Sequence, residues 1–318
     1  MRKYMVLLIM TGILWVTGCA AKSETQDIAG ENQEQSVTFT DDLGREVTVE
    51  NPERVAALIG SFAEMWQLAG GEICATADDA WEDMGLTLSE DTVNLGQTKS
   101  ISVEKLFEAE PDFIIASANT RVNVELLDTL EATGVPTAYF EVSGFDDYLR
   151  VLKIFTEITG REDLYQENGL AIQTQIEDVI AKSEKRLQGQ EGPTVLFLRV
   201  SATAVYAKNS SDSVLGEMLK ALGCRNIADD DASLLENVTL EHVLQMDPDY
   251  IFTVQLGGNP EGVKNHLDSL FSEDSAWATL TAVKEGRWYH LDKRLYNLKP
   301  NARWGEAYEG LEAILEKE

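Results

Sequence analysis

Cysteine, histidine and proline are scarce in this chain, and the scarcity of cysteine and histidine excludes several classes of protein. Three cysteines, Cys19, Cys74 and Cys224, stand among 318 residues. They are too few and too widely spaced for a disulfide framework, and no two of them form the CxxC pair of a zinc or redox site. The three histidines are isolated from other metal-ligand residues. We therefore expect no metal site, no cofactor and a fold stabilised by packing.

Basic side chains are also few, since 26 Lys and Arg stand against 55 Asp and Glu, for a formal net charge of −29. Phosphate binding depends on clustered Lys and Arg, so this charge excludes a generic nucleic-acid binder. The hydrophobic residues, 44% of the chain, are sufficient for a sizeable core. A chain of this length is expected to form about two domains.

Long apolar runs are absent except near the amino terminus. The run over residues 5–16 follows two basic residues and is shorter than the roughly 20 residues of a membrane-spanning helix. It predicts a signal peptide over residues 1–18. The segment Val16-Thr17-Gly18-Cys19 resembles a bacterial lipobox, which implies that Cys19 becomes an acylated amino terminus. The alternative is an ordinary secretory signal followed by a chance cysteine.

Residues 19–36 are polar and small, with almost no large apolar side chain. Burial cannot offset the entropy of ordering such a segment, so it predicts a flexible linker. Acylated cysteine, linker and globular body together predict an extracytoplasmic protein that a lipid anchors to the cell membrane.

The body of the chain contains an internal repeat. Residues 101–115 and 238–252 each carry an N-cap Ser or Thr, a Glu two residues later, an acidic-Pro-Asp stop and a strand that begins with an aromatic residue. A second pair of similar segments begins at Leu68 and Leu222. Two copies predict a duplicated domain and not a solenoid, and the alternation of short apolar runs with helices predicts an α/β fold.

A long helix separates the two copies. Residues 162–187 contain no proline and place Ile172, Ile176 and Ile180 at steps of four, which predicts one helix with an apolar stripe. We expect two similar lobes with mainly parallel central sheets, bridged by this helix. Their predicted bounds are residues 37–160 for the N-terminal lobe, 161–190 for the helix and 191–318 for the C-terminal lobe. Ligands of such folds bind in the cleft at the carboxyl ends of the strands.

The order of these motifs resembles the solute-binding lipoproteins of ABC importers that take up iron–siderophore complexes, cobalamin or heme. The resemblance is carried by the lipobox, the opening Thr40-Asp-Asp-Leu-Gly-Arg-Glu-Val, Arg54-Val-Ala, the repeated segments and the closing Ala282-Val-Lys-Glu-Gly-Arg-Trp-Tyr. It implies a monomer that captures a metal chelate, a ferric siderophore first and a corrinoid or heme as alternatives, and delivers it to permease subunits.

The resemblance also implies two docking residues, because an acidic residue on each lobe of these proteins meets arginines of the permease. The matching positions are Glu104 and Glu241, at equivalent places of the repeat. The alternative is that each Glu only complements the dipole of its helix.

Candidate ligand-binding residues lie in the segments that follow the predicted strands, and they are Ser61, Phe62, Trp81, Gln97, Asn119, Arg121, Arg199, Tyr206, Lys208, Gln255, Tyr296 and Arg303. The cations among them suit an anionic ligand, although they could instead neutralise neighbouring carboxylates. Trp81 is equally a ligand platform or a packing residue. Two positions depart from the resemblance. Triscatecholate binders commonly carry an arginine after the strand that ends at Val254, where this chain has Gln255. Heme binders commonly carry a Tyr or Met iron ligand beside the loop matching Gly96-Gln97-Thr98, where this chain has neither.

An enzyme and a surface interaction protein are the other classes of function. The segment over residues 257–264 approaches a phosphate-binding loop, but Val263 occupies the position of the required lysine. The chain has neither a GxSxG nor an HExxH motif. We therefore expect a binding protein without catalytic residues.

Overall fold

Two sheets and their surrounding helices are seen over residues 36–211 and 213–317, which are the part of the chain that the computed structural model describes. These residues belong to one compact unit. The predicted signal peptide, Cys19 and the linker up to residue 35 lie outside the described residues. No helix among the described residues is long and apolar enough to cross a membrane.

The first lobe combines a hairpin with a parallel sheet. Its elements are β1 (Ser36–Thr40), β2 (Glu46–Glu50), β3 (Val55–Ala57), α1 (Gly60–Leu68), β4 (Ile73–Thr76), α2 (Asp79–Glu82), β5 (Val93–Asn94), α3 (Val103–Glu108), β6 (Phe113–Ser117), α4 (Arg121–Glu125), α5 (Leu127–Glu131), β7 (Thr137–Phe140) and α6 (Phe145–Thr159). Strands β1 and β2 pair antiparallel. The other five strands form a parallel sheet in the order β5-β4-β3-β6-β7.

The linking helix runs without a break from Glu162 to Leu187, but it is not a regular α-helix throughout. It consists of α7 (Glu162–Tyr165), a π-helical turn (Gln166–Leu170) and α8 (Ala171–Leu187). The π turn presents the Asn168 carbonyl to the Tyr148 hydroxyl, which donates to it at 2.8 Å. The Asn168 amide donates in turn to the carbonyl of Leu68 at 2.9 Å. The irregular turn therefore fastens the linking helix to the first lobe.

The second lobe repeats the topology of the first. Its elements are β8 (Thr194–Val200), β9 (Val205–Lys208), α9 (Val214–Ala221), β10 (Arg225–Asn226), α10 (Ile227–Asp230), α11 (Ser233–Glu236), α12 (Leu240–Met246), β11 (Tyr250–Gln255), α13 (Pro260–Leu270), α14 (Thr281–Lys284), β12 (Trp288–Leu291), α15 (Lys293–Tyr296) and α16 (Trp304–Leu315). The parallel order β10-β8-β11-β12 corresponds to β4-β3-β6-β7, and β9 pairs antiparallel with β8. The predicted architecture of two mainly parallel sheets joined by a long helix is confirmed.

The repeated Pro-Asp pair performs the same structural task in both lobes. The Asp112 carboxylate accepts hydrogen bonds from the backbone nitrogens of Glu53 and Arg54 at 2.8 and 2.9 Å. The Asp249 carboxylate accepts from the backbone nitrogen of Thr194 at 2.7 Å. Asp112 thus joins the start of β6 to the start of β3, and Asp249 joins the start of β11 to the start of β8, which accounts for the similarity of the two segments.

One hydrophobic core extends across both lobes and the linking helix. It contains buried side chains of the first sheet such as Phe140, of α8 such as Ile176, and of the second sheet such as Phe252. Polar contacts also cross between the lobes, because the Arg294 guanidinium contacts the Glu64 carboxylate at 2.5 Å and the Lys293 ammonium contacts Asp83 at 2.6 Å. A shared core with partly buried ion pairs resists movement of one lobe against the other.

Candidate functional site

A cavity of about 440 Å³ opens between the lobes where the carboxyl ends of the strands meet. Its lining comes from the segments after all five parallel strands, β3 to β7, in the first lobe, and from β8, β9, the start of α9 and the segment after α15 in the second. The lining residues are Ile59, Ser61, Asp79, Thr98, Asn119, Thr120, Val142, Ser143, Arg199, Lys208, Ser213, Val214, Asn297, Leu298 and Lys299. The volume is within the range that small-molecule sites occupy.

The charged groups of this lining are three cations and one carboxylate among the residues that the structure describes. Arg199, Lys208 and Lys299 face Asp79 in a chain whose formal net charge is −29. The Lys299 ammonium lies 4.9 Å from the centre of the Phe62 ring. Burial lowers the pKa of Lys299 to about 8, although the charges of Asp79 and Glu141 oppose the shift. The cavity therefore carries a local positive charge that the rest of the protein does not share.

Asp79 is held at the cavity by the close approach of two helices. Its Oδ1 accepts a hydrogen bond from the Gly60 backbone nitrogen at 2.9 Å. A Cβ at Gly60 would come within 2.5 Å of the Ala80 backbone nitrogen, so only glycine permits this contact between the starts of α1 and α2. Burial raises the pKa of Asp79 to about 6, and the nearby carboxylates of Asp83 and Asp78 add to the increase.

A network of hydroxyl and amide groups supports the first-lobe side of the cavity. The Ser117 hydroxyl donates to the amide oxygen of Asn119 at 2.8 Å, and the Thr120 hydroxyl donates to Ser117 at 2.9 Å. The amide oxygen of the buried Asn123 accepts from the Ser117 backbone nitrogen at 2.9 Å. Because the oxygen of Asn119 is engaged, its amide nitrogen is the group that can donate to a ligand.

The structure brings four of the predicted ligand residues to the cavity: Ser61, Asn119, Arg199 and Lys208. Tyr206 is not among the lining residues, but it stands opposite the lining residue Arg199 in the β8–β9 pair, on the same face of the sheet, and is half exposed. Gln97 is exposed and precedes the lining residue Thr98. The carbonyl of Gln255 accepts from Asn297 at 2.9 Å, while its own amide donates to Gly257.

Three further predicted ligand residues, Phe62, Tyr296 and Trp81, are not part of the cavity lining. Phe62 is fully buried against Phe140, and Tyr296 is buried with its hydroxyl donating to the Ala307 carbonyl at 3.0 Å. Trp81 lies partly buried on α2, outside the lining.

The two remaining predicted cations are paired with carboxylates of their own helical turn. Arg121 contacts Glu125 at 2.7 Å with most of its side chain exposed, and Arg303 contacts Glu306 at 2.7 Å. For these two arginines the structure shows the neutralising contacts that were the alternative to ligand binding.

Asp79, Ser143, Asn297 and Lys299 line the cavity but are not among the predicted ligand residues, although each lies in a segment, 78–84, 141–144 or 295–304, that the strand pattern places at the cavity. Asp79 had a signal in the repeat, because Asp229 accepts from the Ser210 backbone nitrogen at 2.8 Å over the same separation of 19 residues as Asp79 and Gly60. The repeat therefore pairs Asp79 with Asp229. Lys299 had no comparable signal.

Glu104 and Glu241 occupy the first turns of α3 and α12, and both side chains are exposed. Neither carboxylate forms an ion pair with any residue that the structure describes. The predicted N-cap is formed at Ser102, whose hydroxyl accepts from the Lys105 backbone nitrogen at 3.3 Å. The Thr239 hydroxyl makes no such bond, so the two helix starts share their geometry but not their cap.

The described residues contain no cluster of three or more His, Cys, Asp or Glu side chains that could hold a metal ion. A two-lobed α/β body with a polar cavity between lobes that are joined by a helix has the architecture of a ligand-binding protein. The sequence profile of the family described as "Periplasmic binding protein" matches residues 55–295. The chain belongs to this family of ABC-importer binding proteins, which confirms the prediction of a binding protein and not an enzyme.

Named relatives and solved structures agree with this assignment. The chain is 22% identical, over all of its length and 97% of the relative, to YhfQ of Bacillus subtilis (strain 168), named an ABC transporter substrate-binding lipoprotein. It is 23% identical to the iron(3+)-hydroxamate-binding protein FhuD of the same organism, over 87% of this chain and 86% of that protein. The crystal structure of Staphylococcus aureus SirA complexed with staphyloferrin B superposes with a TM-score of 0.67 at 19% identity, covering 88% of this chain and 98% of SirA.

Proposed function

We propose that this protein is an extracytoplasmic lipoprotein that captures an anionic ferric siderophore in the interlobe cavity and delivers it to the permease of an ABC importer. The observation that carries the proposal is the cluster of Arg199, Lys208 and Lys299 in an otherwise strongly acidic chain. The names of YhfQ and FhuD, which refer to a substrate-binding lipoprotein and to ferric hydroxamate, support an importer lipoprotein that binds a ferric chelate. The anionic character of the chelate rests on the cavity cations alone.

The chemistry of the lining favours an oxygen-rich anionic chelate. Guanidinium and ammonium groups bind carboxylate or catecholate oxygens through charge-assisted hydrogen bonds, and the hydroxyl and amide groups of Ser61, Asn119 and Ser143 can bind the neutral parts of the chelate. Heme iron is usually held by an imidazole, thiolate, thioether or phenolate. None of these groups is among the described residues that line the cavity. Heme and corrinoids therefore serve as the comparison ligands of the test.

The test is a binding panel on the purified protein without its signal peptide. Quenching of tryptophan fluorescence and native mass spectrometry would compare an anionic ferric carboxylate chelate, an anionic ferric triscatecholate, a neutral ferric trihydroxamate, cobalamin and heme. We expect an anionic ferric chelate to bind with the highest affinity. Preferential binding of the neutral chelate, of cobalamin or of heme would contradict the proposed ligand class.

Delivery is proposed to depend on Glu104 and Glu241, which stand exposed at equivalent places on the two lobes. Replacing both with Ala should abolish or sharply reduce uptake and leave chelate affinity unchanged, because neither residue lines the cavity. Replacement with Lys should be more severe than Ala, since like charges would then meet the permease arginines. Normal uptake by the double Ala variant would show that Glu104 and Glu241 do not dock the permease and only complement the dipoles of their helices.

A further inference from the structure

Two of the exposed apolar side chains occupy equivalent positions of the repeat. Among the residues that the structure describes, the exposed large hydrophobic side chains are Leu43, Phe107, Val124, Tyr206 and Leu244. Phe107 in α3 and Leu244 in α12 correspond to each other when Glu104 is aligned with Glu241. Single exposed apolar residues are ordinary on protein surfaces, but their recurrence at one position of a duplicated element calls for a common cause.

Each apolar side chain lies one helical turn after its glutamate. Residues three apart share a face of a helix, so Glu104 with Phe107 and Glu241 with Leu244 form two similar surface pairs. The opposite face of each helix is buried through Leu106 and Val243, respectively. The helices are therefore fixed to their lobes by one face, and each presents a carboxylate and an apolar group on the other.

The topology places both pairs near the rim of the cavity. Helix α3 connects β5 to β6, and α12 lies between β10 and β11, so both belong to crossovers between parallel strands. A crossover helix runs antiparallel to the strands that it connects, so its first turn lies toward their carboxyl ends. The cavity opens at these same edges. A partner that covers the mouth of the cavity would meet both pairs.

We propose that Phe107 and Leu244 are apolar docking residues that act together with Glu104 and Glu241, so that each lobe presents the same two-part contact to the importer. The partner is the membrane permease, with a cationic side chain and a hydrophobic pocket about one helical turn apart on each of its two halves. The carboxylates steer and orient the encounter, while the apolar groups lose contact with water on docking and slow dissociation. This inference rests on the proposed function and adds a contact to it.

The test compares the affinity of chelate-loaded variants for the purified importer in lipid nanodiscs. Phe107→Ser and Leu244→Ser should each weaken binding to the importer about tenfold, mainly through faster dissociation, and the double variant about a hundredfold. Leu43→Ser is the matched control, because Leu43 is 37% exposed against 38% for Phe107 and 39% for Leu244 but lies in the β1–β2 turn. The control should bind the importer like the wild type.

Photocrosslinking from positions 107 and 244 supplies a second measurement that does not depend on the stability of a Ser variant. A benzophenone side chain at either position should crosslink to a permease subunit, whereas one at position 43 should not. If the Glu104→Ala, Glu241→Ala double variant loses importer binding while the Ser variants keep it, the apolar contact is refuted and the proposed function stands. A protein that binds no ferric chelate would refute the proposed function itself. Wild-type strength of importer binding by the Phe107→Ser, Leu244→Ser double variant, with the chelate still bound, would overturn the docking inference alone.

Discussion

Replacing Lys299 with Met should make the empty protein more stable and the binding site weaker. Burial lowers the pKa of Lys299 from its ordinary 10.5 to about 8, so the folded protein carries the ammonium at a cost at neutral pH. That shift corresponds to about 3 kcal/mol, and a partly solvated ammonium reduces the expected gain to about 2 kcal/mol. The variant should therefore unfold about 4 °C higher at pH 7.

The pH dependence of this stability difference has a definite sign. Below pH 8 the lysine is protonated in both the folded and the unfolded state, so the full cost of burial is present. Between pH 8 and 10.5 the folded state loses its proton while the unfolded state keeps it, so the wild type should gain stability relative to the variant. Thermal unfolding followed by circular dichroism between pH 7 and 10 would measure the converging curves.

The same substitution should weaken binding of an anionic ferric chelate by roughly 30- to 150-fold. This factor corresponds to the loss of about 2–3 kcal/mol, the usual worth of a hydrogen bond to a charged group in a partly buried site. Affinity of the wild type should also fall as the pH rises above about 8, because the lysine then loses its charge. Lys264→Met is the control, since Lys264 is exposed on α13 and pairs with Asp268 at 2.9 Å. A variant that is neither more stable nor weaker in binding would refute the reasoning.

Three further outcomes are expected. Asp79→Asn should raise affinity for an anionic chelate several-fold at pH 7.5, because it removes a negative charge from the cavity. The affinity of the wild type should rise as the pH falls through about 6 and Asp79 is protonated, and the variant should not show this rise. Binding titrations at pH 5, 6 and 7.5 would detect the difference. Small-angle scattering should give the same radius of gyration with and without ligand, because a shared core and the Arg294–Glu64 pair join the lobes. A clear decrease of the radius of gyration on ligand binding would contradict this expectation. Cys19→Ala should release the protein from the membrane fraction without changing chelate affinity, and retention would mean that residues 5–16 anchor it.

The order of strands and helices could be predicted because buried parallel strands are continuous apolar runs and because the chain contains two copies of one pattern. From the sequence the Pro-Asp pair is predicted only as a helix stop, and the structure adds that Asp112 and Asp249 join equivalent strand starts. The π turn at residues 166–170 could not be predicted, because it depends on contacts with Tyr148 and Leu68 in the other elements.

The cavity lining was harder to predict from the sequence, because it depends on which face of each short helix points to the cavity and on loops that follow strands far apart in the chain. Phe62 follows a lining residue directly, yet the phase of α1 turns its ring into the core. The pairing of Arg121 with Glu125 was visible as an i, i+4 spacing and would have argued against a free cation. Lys299 becomes a site residue only because the segment after α15 reaches back across the first lobe, where its ammonium meets the Phe62 ring.

The distribution of charge between the lobes determines how a ligand would lie in the cavity. Arg199 and Lys208 lie on strands of the second lobe, and Lys299 follows α15 of that lobe but places its ammonium against Phe62 of the first. The first lobe contributes hydroxyl and amide groups together with Asp79. Asp79 and Asp229 occupy equivalent places in the two lobes, and each carboxylate accepts a hydrogen bond from a backbone nitrogen of its own lobe. These two carboxylates are therefore part of the architecture that both lobes share. By contrast, the lining residues that the structure describes in the first lobe include no Lys or Arg. We expect the anionic groups of the proposed chelate to contact the three cations and its neutral portion to contact Ser61 and Asn119, so affinity should depend on charge at the cations and on hydrogen bonding at the hydroxyl and amide groups.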